Sequence, residues 1–140
     1  MAVESHNFQV RTRGRTQVID LSEQLRQVMA GSAIKDGTVT VFVVGSTAGL
    51  TTTEAEPGLL DHDLKAAFER LAPEGARYAH EATWHDDNGH SHVCASLLGP
   101  AITIPLVHGV LTLGTWQQVV LIDFDTGPRE RQIIVQVMGE

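Results

Sequence analysis

Four of the seven histidines of this chain fall within one short segment, residues 80–92. Carboxylates from Glu81, Asp86 and Asp87 lie among them. Imidazole nitrogens and carboxylate oxygens on a turning loop can converge on a divalent transition-metal ion without long-range assembly. The segment therefore predicts a site for zinc or another transition metal. The ligands that we predict for this metal are His80, His85, His90 and His92.

The spacing of the last two histidines predicts how they are presented. His90 and His92 are two residues apart, so in an extended backbone both side chains would leave the same face. Asn88-Gly89, just before them, is typical of a tight turn. The segment matches no fixed metal signature such as H-E-x-x-H. A polar loop can also carry histidines merely because it is solvated, and histidine-rich tracts can sequester metal without any catalytic role.

Two further stretches have side chains that suit an anionic substrate. Ser46 and Thr47 follow a predicted strand, where hydroxyls and backbone amides can approach a phosphate or a carboxylate. The alternative is a strand bend that needs glycine for its geometry. Arg129 and Arg131 flank the last turn, where guanidinium groups can hold a phosphate bidentately or can be plain solvated charges. Trp116 can stack on a heteroaromatic ring or lie in the core.

Composition limits the class of protein. The chain has 140 residues and 42% hydrophobic residues, as expected for one globular domain with a real core. Its formal net charge of -7 argues against nucleic acid or an anionic membrane as the main partner. The single cysteine, Cys94, excludes an intrachain disulfide. No stretch suits a signal peptide or a membrane span, so we expect a cytoplasmic protein.

Hydrophobic periodicity predicts two helices among about eight strands. Arg13-Gly14-Arg15 is typical of a hairpin turn between the first two strands, and residues 93–98 suit helix or strand equally. Since no repeat or linker interrupts the chain, we predict one α+β domain over residues 1–140, with both helices packed on one face of a mostly antiparallel sheet. The helices are expected at residues 21–30 and 57–71, and strands at residues 8–12, 16–20, 38–44, 102–104, 110–113, 117–124 and 131–138.

Several ordered motifs together resemble the YjbQ-like family. They are Gly45-Ser46-Thr47-Ala48, Glu54, D-D-N-G-H-S-H, Leu98-Gly99-Pro100, Gly114-Thr115-Trp116-Gln117 and the closing R-E-R-Q-I-I-V-Q-V-M-G-E. The resemblance covers nearly the whole chain. It implies an α+β protein that assembles as a homotrimer, with a metal-binding pocket near the subunit boundary. It also implies a thiamine-phosphate synthase activity, which joins a pyrimidine methyl diphosphate to a thiazole phosphate and releases pyrophosphate.

The same resemblance extends to single residues. His80 and His92 match family histidines, and Asp87 matches the acidic position upstream of His92. Glu54 matches a glutamate after the threonine-rich strand, and Trp116 and Gln117 match the family's tryptophan and glutamine. From this resemblance the predicted catalytic residues are Glu54 and Asp87, although Glu54 can be a plain exposed residue and Asp87 can instead be a metal ligand, a partner that orients an imidazole or a turn residue. The predicted substrate-binding residues are Trp116 and Gln117, together with Ser46, Thr47 and Arg129 from the residue chemistry given above.

One position departs from the family pattern. Many members carry a histidine where this chain has Gly45, so a pocket of the family type would lack one nitrogen at that wall. His85 and His90 are the available replacements. We predict His90, because it shares a face with His92 if the backbone there is extended.

Three functions remain open on the sequence alone. The first is the metal-assisted transferase just described, acting on a phosphorylated small molecule. The second is a metal-dependent hydrolase, in which the ion lowers the pKa of a bound water. The third is a trimer without enzymatic activity in which the metal only stabilises the fold.

Overall fold

Eight strands and four helices account for most of the chain in the computed structural model, which describes all residues from Met1 to Glu140. No helix is long and apolar enough to cross a lipid bilayer. The strands are β1 (Ala2–Thr12), β2 (Gln17–Asp20), β3 (Gly37–Val43), β4 (Ala48–Glu54), β5 (Ala101–Val107), β6 (Val110–Leu111), β7 (Gln117–Asp123) and β8 (Arg129–Gly139). The helices are α1 (Ser22–Gly31), α2 (Leu64–Leu71, preceded by a π-helical turn at Leu59–Asp63), α3 (Ala79–Trp84) and α4 (Gly89–Leu98).

The strands form two sheets in which every neighbouring pair is antiparallel. The larger sheet has the order β1-β8-β3-β5-β6, and the smaller has the order β2-β7-β4. The β-branched strand β3 lies at the centre of the larger sheet, where Val39, Val41 and Val43 are fully buried. The predicted α+β class with antiparallel pairing is confirmed, and the strands divide into two sheets.

Strand β7 separates two hydrophobic cores. Because successive side chains of a strand point to opposite faces, Val119 and Leu121 join a core shared with the five-stranded sheet and with Leu25 of α1. Val120 and Ile122 join a second core with side chains of α2 and α4. The three-stranded sheet is therefore a middle layer. Of the two predicted helices, α1 packs in the first core and α2 in the second.

The segment Arg13-Gly14-Arg15 is not the hairpin turn that the sequence predicts. Strand β1 pairs with β8 in one sheet and β2 pairs with β7 in the other, so the segment carries the chain between sheets. Gly14 does take a positive φ of 82°. A Cβ there would collide with the carbonyl oxygen of Asp125, so the crossing requires glycine.

The second half of the histidine segment is helical. The prediction that His90 and His92 lie in extended backbone is wrong, because both belong to α4. Residues two apart on an α-helix point about 200° apart, so these side chains leave nearly opposite faces. Asn88 precedes the helix, and its carbonyl oxygen accepts the amide hydrogen of Ser91 at 3.0 Å. The predicted turn therefore begins a helix.

Candidate functional site

Helices α3 and α4 bring two of the predicted histidines together. His80 on α3 and His92 on α4 have ring centroids 4.6 Å apart, with the ring planes inclined at 45°. Imidazoles that bind one ion with metal–nitrogen distances of about 2.1 Å have ring centres about 5 Å apart. The observed spacing therefore suits a shared metal ion.

Two carboxylates flank the same nitrogen of His80. Its Nδ1 lies 3.0 Å from Asp86 Oδ1 and 3.1 Å from Glu81 Oε1. Glu81 Oε1 also accepts the amide hydrogen of Gly89 at 2.6 Å, which fixes its position. The ligand atoms of His80, Glu81 and Asp86 all lie within 4.8 Å of one another, a group to which His92 does not belong. A carboxylate on Nδ1 sets the tautomer and orientation of the ring and leaves Nε2 available for a metal ion.

His90 lies on the other side of α4 from this pair. It is only 7% exposed, and its ring centroid is 6.3 Å from that of Tyr78. Its Nε2 is 3.3 Å from the Ser91 hydroxyl, which itself donates to the carbonyl oxygen of Phe124. Nε2 must then carry the hydrogen, and the buried Nδ1 has no partner. The helical backbone is the reason that His90 does not face His92.

No hydrogen bond or ion pair joins His85 to His80 or His92. His85 follows α3 in a left-handed conformation with φ 56°, and its side chain is exposed. The imidazole makes no hydrogen bond or ion pair. Asp86, directly after it, is the acidic residue that reaches His80, whereas Asp87 Oδ1 accepts a hydrogen bond from the Thr126 hydroxyl at 2.9 Å.

A buried ion-pair network lies beyond the histidine loop. Arg131 donates from Nε to Asp123 Oδ2 at 2.7 Å and from Nη2 to Asp123 Oδ1 at 3.0 Å. Asp123 also accepts the Thr12 hydroxyl at 2.6 Å and the amide of Asp125 at 3.0 Å. Asp123 is fully buried and Arg131 is 6% exposed. Each carboxylate oxygen of Asp123 therefore accepts two hydrogen bonds, which offset the cost of burying the charge.

Asp125 joins this network to the histidine loop. Burial raises the pKa of Asp125, but hydrogen bonds from the Thr126 amide and the Thr47 hydroxyl, together with the Arg129 guanidinium, hold it below its usual value. Asp125 Oδ2 accepts from Arg129 Nε at 2.9 Å, and Oδ1 lies 3.5 Å from Nδ2 of Asn88, the residue that begins α4. A carboxylate held ionised in this way orients the Arg129 guanidinium.

The predicted phosphate-binding hydroxyls have different surroundings. Thr47 is buried, donates to Asp125 Oδ2 at 2.9 Å and accepts from Arg131 Nη2 at 2.6 Å, so its hydroxyl is already used within the protein. Ser46 is exposed, and its hydroxyl makes no hydrogen bond. Arg129 has an exposed side chain whose terminal nitrogens make no hydrogen bond. Ser46 and Arg129 therefore remain available to a ligand.

The guanidinium of Arg131 lies beside Gly45, next to the space that a side chain at this position would occupy. A Cβ built on Gly45 would lie 2.7 Å from Nη1 of Arg131, and Gly45 has a φ of 124° that favours glycine. The prediction that His90 completes this wall is not supported, because His90 is buried beside Tyr78 on α4.

Three predicted residues lie at the far end of the three-stranded sheet. The register pairs Ala48 with Asp123 at one end of β4 and Glu54 with Gln117 at the other. These ends are about 20 Å apart at the usual rise per residue of a strand. Glu54 is exposed, Trp116 is 74% exposed, and Gln117 Nε2 donates to Thr52 Oγ1 at 2.9 Å. Within one chain, Glu54, Trp116 and Gln117 do not meet the arginine network.

Sequence reasoning missed the two aspartates that organise the arginines. Asp123 and Asp125 flank Phe124 at the end of the predicted strand 117–124, directly after the apolar run at residues 119–122. An ionisable residue buried with such an apolar run needs a partner of opposite charge. Arg129 and Arg131 follow within a few residues, so this pairing was the signal that could have identified them.

The chain is similar to known proteins along almost its whole length. The family model described as UPF0047 protein YjbQ-like matches residues 6–140. A UPF0047 protein of Methanothermobacter thermautotrophicus is 36% identical over 140 residues, covering 100% of this chain and 95% of that protein. A hypothetical protein from Aeropyrum pernix K1 has a crystal structure with a TM-score of 0.90 and 33% identity, covering 98% of this chain and 99% of that one. A YbjQ-like protein of unknown function from Sulfolobus solfataricus P2 gives a TM-score of 0.88 at 29% identity, covering 99% of this chain and 100% of that one.

Proposed function

Because the chain belongs to the UPF0047 (YjbQ-like) family, we propose that it is a metal-dependent enzyme acting on a phosphorylated small molecule. The specific reaction proposed is the thiamine-phosphate synthase reaction that the sequence resemblance implies. The observation that carries the metal-dependent part is the pair His80 and His92, with ring centroids 4.6 Å apart and carboxylates on His80 Nδ1. The choice of substrate rests on the resemblance.

In this proposal His80 Nε2 and a nitrogen of His92 are the protein ligands. Asp86 and Glu81 accept the Nδ1 hydrogen of His80, which orients the ring and leaves Nε2 as the nitrogen for the metal. A bound divalent ion would neutralise negative charge on a leaving diphosphate. Two imidazoles leave coordination positions open for substrate oxygens, which favours a catalytic ion over a purely structural one.

Arg129 and Ser46 are the proposed phosphate-binding groups of this chain. Asp125 holds Arg129 by Nε, so the terminal nitrogens point away from that contact and can donate to phosphate oxygens. The Asn88–Asp125 and Asp87–Thr126 contacts tie the histidine loop to the same arginine network. Asp87 therefore acts in this proposal by positioning the loop.

The proposal includes a cytoplasmic homotrimer. What supports assembly is the outer face of the five-stranded sheet, which is open to solvent in the single chain and whose charged side chains on the four long strands are limited to the cross-strand pair Arg11 and Glu130 at one end. Interface cores are depleted of charge in the same way. The uncharged residues of this face are Val3, Ser5, Asn7, Gln9, Thr38, Thr40, Phe42, Ala101, Thr103, Pro105, Val107, Gln132, Ile134, Gln136 and Met138.

Metal titration tests the ligand assignment. Equilibrium dialysis of the wild type against zinc should load about one ion per chain, and His80→Ala or His92→Ala should weaken binding at least tenfold. His108→Ala is the matched control, since the His108 side chain is 88% exposed and lies outside the histidine segment at residues 80–92. His85→Ala and His90→Ala should both retain the metal. Retention by His80→Ala and His92→Ala would refute the site.

A reaction assay tests the enzymatic part. Metal-loaded protein is incubated with the pyrimidine methyl diphosphate and the thiazole phosphate, and separately with phosphoester substrates. Thiamine phosphate formation that disappears in His92→Ala supports the proposed transferase. Phosphoester cleavage with no coupled product would identify a hydrolase instead. Metal binding without either reaction would leave only a metal-stabilised protein.

A further inference from the structure

Arg131 keeps one nitrogen free although its side chain is 7% exposed. Nε and Nη2 are taken by Asp123, and Nη2 also reaches the Thr47 hydroxyl. Nη1 donates to no acceptor in the protein. A buried guanidinium that leaves a terminal nitrogen unpaired loses a charge-assisted hydrogen bond unless a ligand or water supplies the acceptor.

Gly45 makes that nitrogen reachable. A Cβ there would lie 2.7 Å from Nη1, so any side chain at this position would displace the guanidinium or cover it. Gly45 and Ser46 are both exposed, so the opening faces solvent. The absence of a side chain at Gly45 is therefore what leaves Nη1 of Arg131 open.

A second guanidinium lies close by. Arg129 Nε is 2.9 Å and Arg131 Nη2 is 3.8 Å from the same oxygen, Asp125 Oδ2. Asp123 and Asp125 balance the two charges, so the site selects a ligand by its hydrogen-bond acceptors more than by net charge. Planar donors of this kind match the oxygens of phosphate.

We propose that Gly45 opens a phosphate subsite at Nη1 of Arg131, with Arg129 and the Ser46 hydroxyl as the remaining donors. The subsite rests on the proposed function in one respect, since its natural occupant would be a phosphate group of that substrate. It assigns a specificity-determining role to Gly45, because the absent side chain leaves Nη1 of Arg131 open to an anion.

Binding of inorganic phosphate and pyrophosphate to metal-free protein tests the subsite. Isothermal titration calorimetry in EDTA-containing, phosphate-free and sulfate-free buffer measures it without the histidine site. Gly45→Ala should weaken binding about ten- to a hundredfold, the value of one lost charge-assisted hydrogen bond. Gly99→Ala is the matched control, because Gly99 has a comparable φ of 94° but a Cβ there would meet nothing within 4 Å.

A second variant covers the case in which Gly45→Ala does not fold. Arg131→Lys keeps a positive charge beside Asp123 but has one nitrogen where the guanidinium has three, so it should retain a cooperative melting transition and lose phosphate binding at least tenfold. Zinc binding at His80 and His92 should stay unchanged in both variants.

Three results would overturn the subsite: no binding of phosphate or pyrophosphate by the wild type at millimolar concentration, wild-type affinity in a folded Gly45→Ala, or an equal loss in Gly99→Ala. None of these results changes the expected outcome of the metal titration or of the synthase assay, so failure of the subsite is distinguishable from failure of the proposed function.

Discussion

Removal of the Asp123 carboxylate should strongly destabilise the fold. Asp123 is fully buried, and it accepts hydrogen bonds from Nε and Nη2 of Arg131, from the Thr12 hydroxyl and from the amide of Asp125. In Asp123→Ala the guanidinium of Arg131 keeps its charge but loses its only counterion within 3.5 Å. The Thr12 hydroxyl and the Asp125 amide lose an acceptor at the same time.

The expected loss follows from the contacts. Breaking a buried ion pair by removing one partner costs about 3–5 kcal/mol. Native domains have a free energy of unfolding of about 5–15 kcal/mol in total, so this single change removes a large share. For a chain of this length the melting temperature should fall by about 10–20 °C.

Thermal unfolding at pH 7, followed by circular dichroism, measures the effect. Glu23→Ala is the control, because Glu23 forms an exposed ion pair with Arg26 and its removal should leave the melting temperature nearly unchanged. The double variant Asp123→Leu with Arg131→Met should recover most of the lost stability, since replacing both charges by apolar groups removes the uncompensated charge.

Two outcomes would refute this reasoning. One is a loss below about 1 kcal/mol in Asp123→Ala, which would mean that water or a neighbour compensates the guanidinium. The other is a double variant that loses as much stability as the sum of the losses measured for Asp123→Leu alone and Arg131→Met alone, because coupled partners should not be additive.

Three other predictions concern pH, reactivity and assembly. The folded-state pKa of Asp125 is lowered, so the unfolded state binds more protons than the folded state as the pH falls. The stability that Asp125 contributes to the fold is therefore present above its unfolded pKa of about 3.9 and is lost as the pH falls through its folded pKa. Asp125→Asn should therefore flatten the acid limb of stability against pH, and an unchanged limb would contradict the ion-pair assignment. Burial raises the pKa of the Cys94 thiol, so a disulfide reagent at pH 8 should label native protein far more slowly than protein in urea; equal rates would contradict that burial. Light scattering should give a trimer mass for the wild type and a smaller mass for Thr40→Glu, whose new charge lies in the uncharged part of the outer sheet face; a wild-type monomer would exclude the trimer.

Periodicity alone located most of the elements. The β-branched run at residues 38–44 became β3, and the i, i+4 pattern of Leu21 and Leu25 marked α1. Local pattern was enough there because each element buries one face whatever its neighbours are. It failed at Arg13-Gly14-Arg15, where two consecutive strands enter different sheets, because strand pairing depends on which faces share a core.

The histidine segment shows the same division for the candidate site. Residue types and density pointed to His80 and His92, and the structure brings these two together. The segment could not reveal that α4 begins at Gly89, which turns His90 inward toward Tyr78 and away from His92. Residues two apart share a face in a strand but point to nearly opposite faces in a helix, and the apolar residues 93–98 fit both structures.

The sequence by itself determined the family, the α+β class, the antiparallel strands and the cluster that carries the metal hypothesis, since these depend on residue type and on local order along the chain. Tertiary structure alone decided that Asp86 and not Asp87 reaches His80, that Asp123 and Asp125 hold two arginines, and that Arg131 Nη1 meets the space at Gly45. Each of those contacts joins different elements or depends on how a loop is held by its neighbours. Their distances are set by packing the three-stranded sheet between the larger sheet and the helices, which local spacing does not encode.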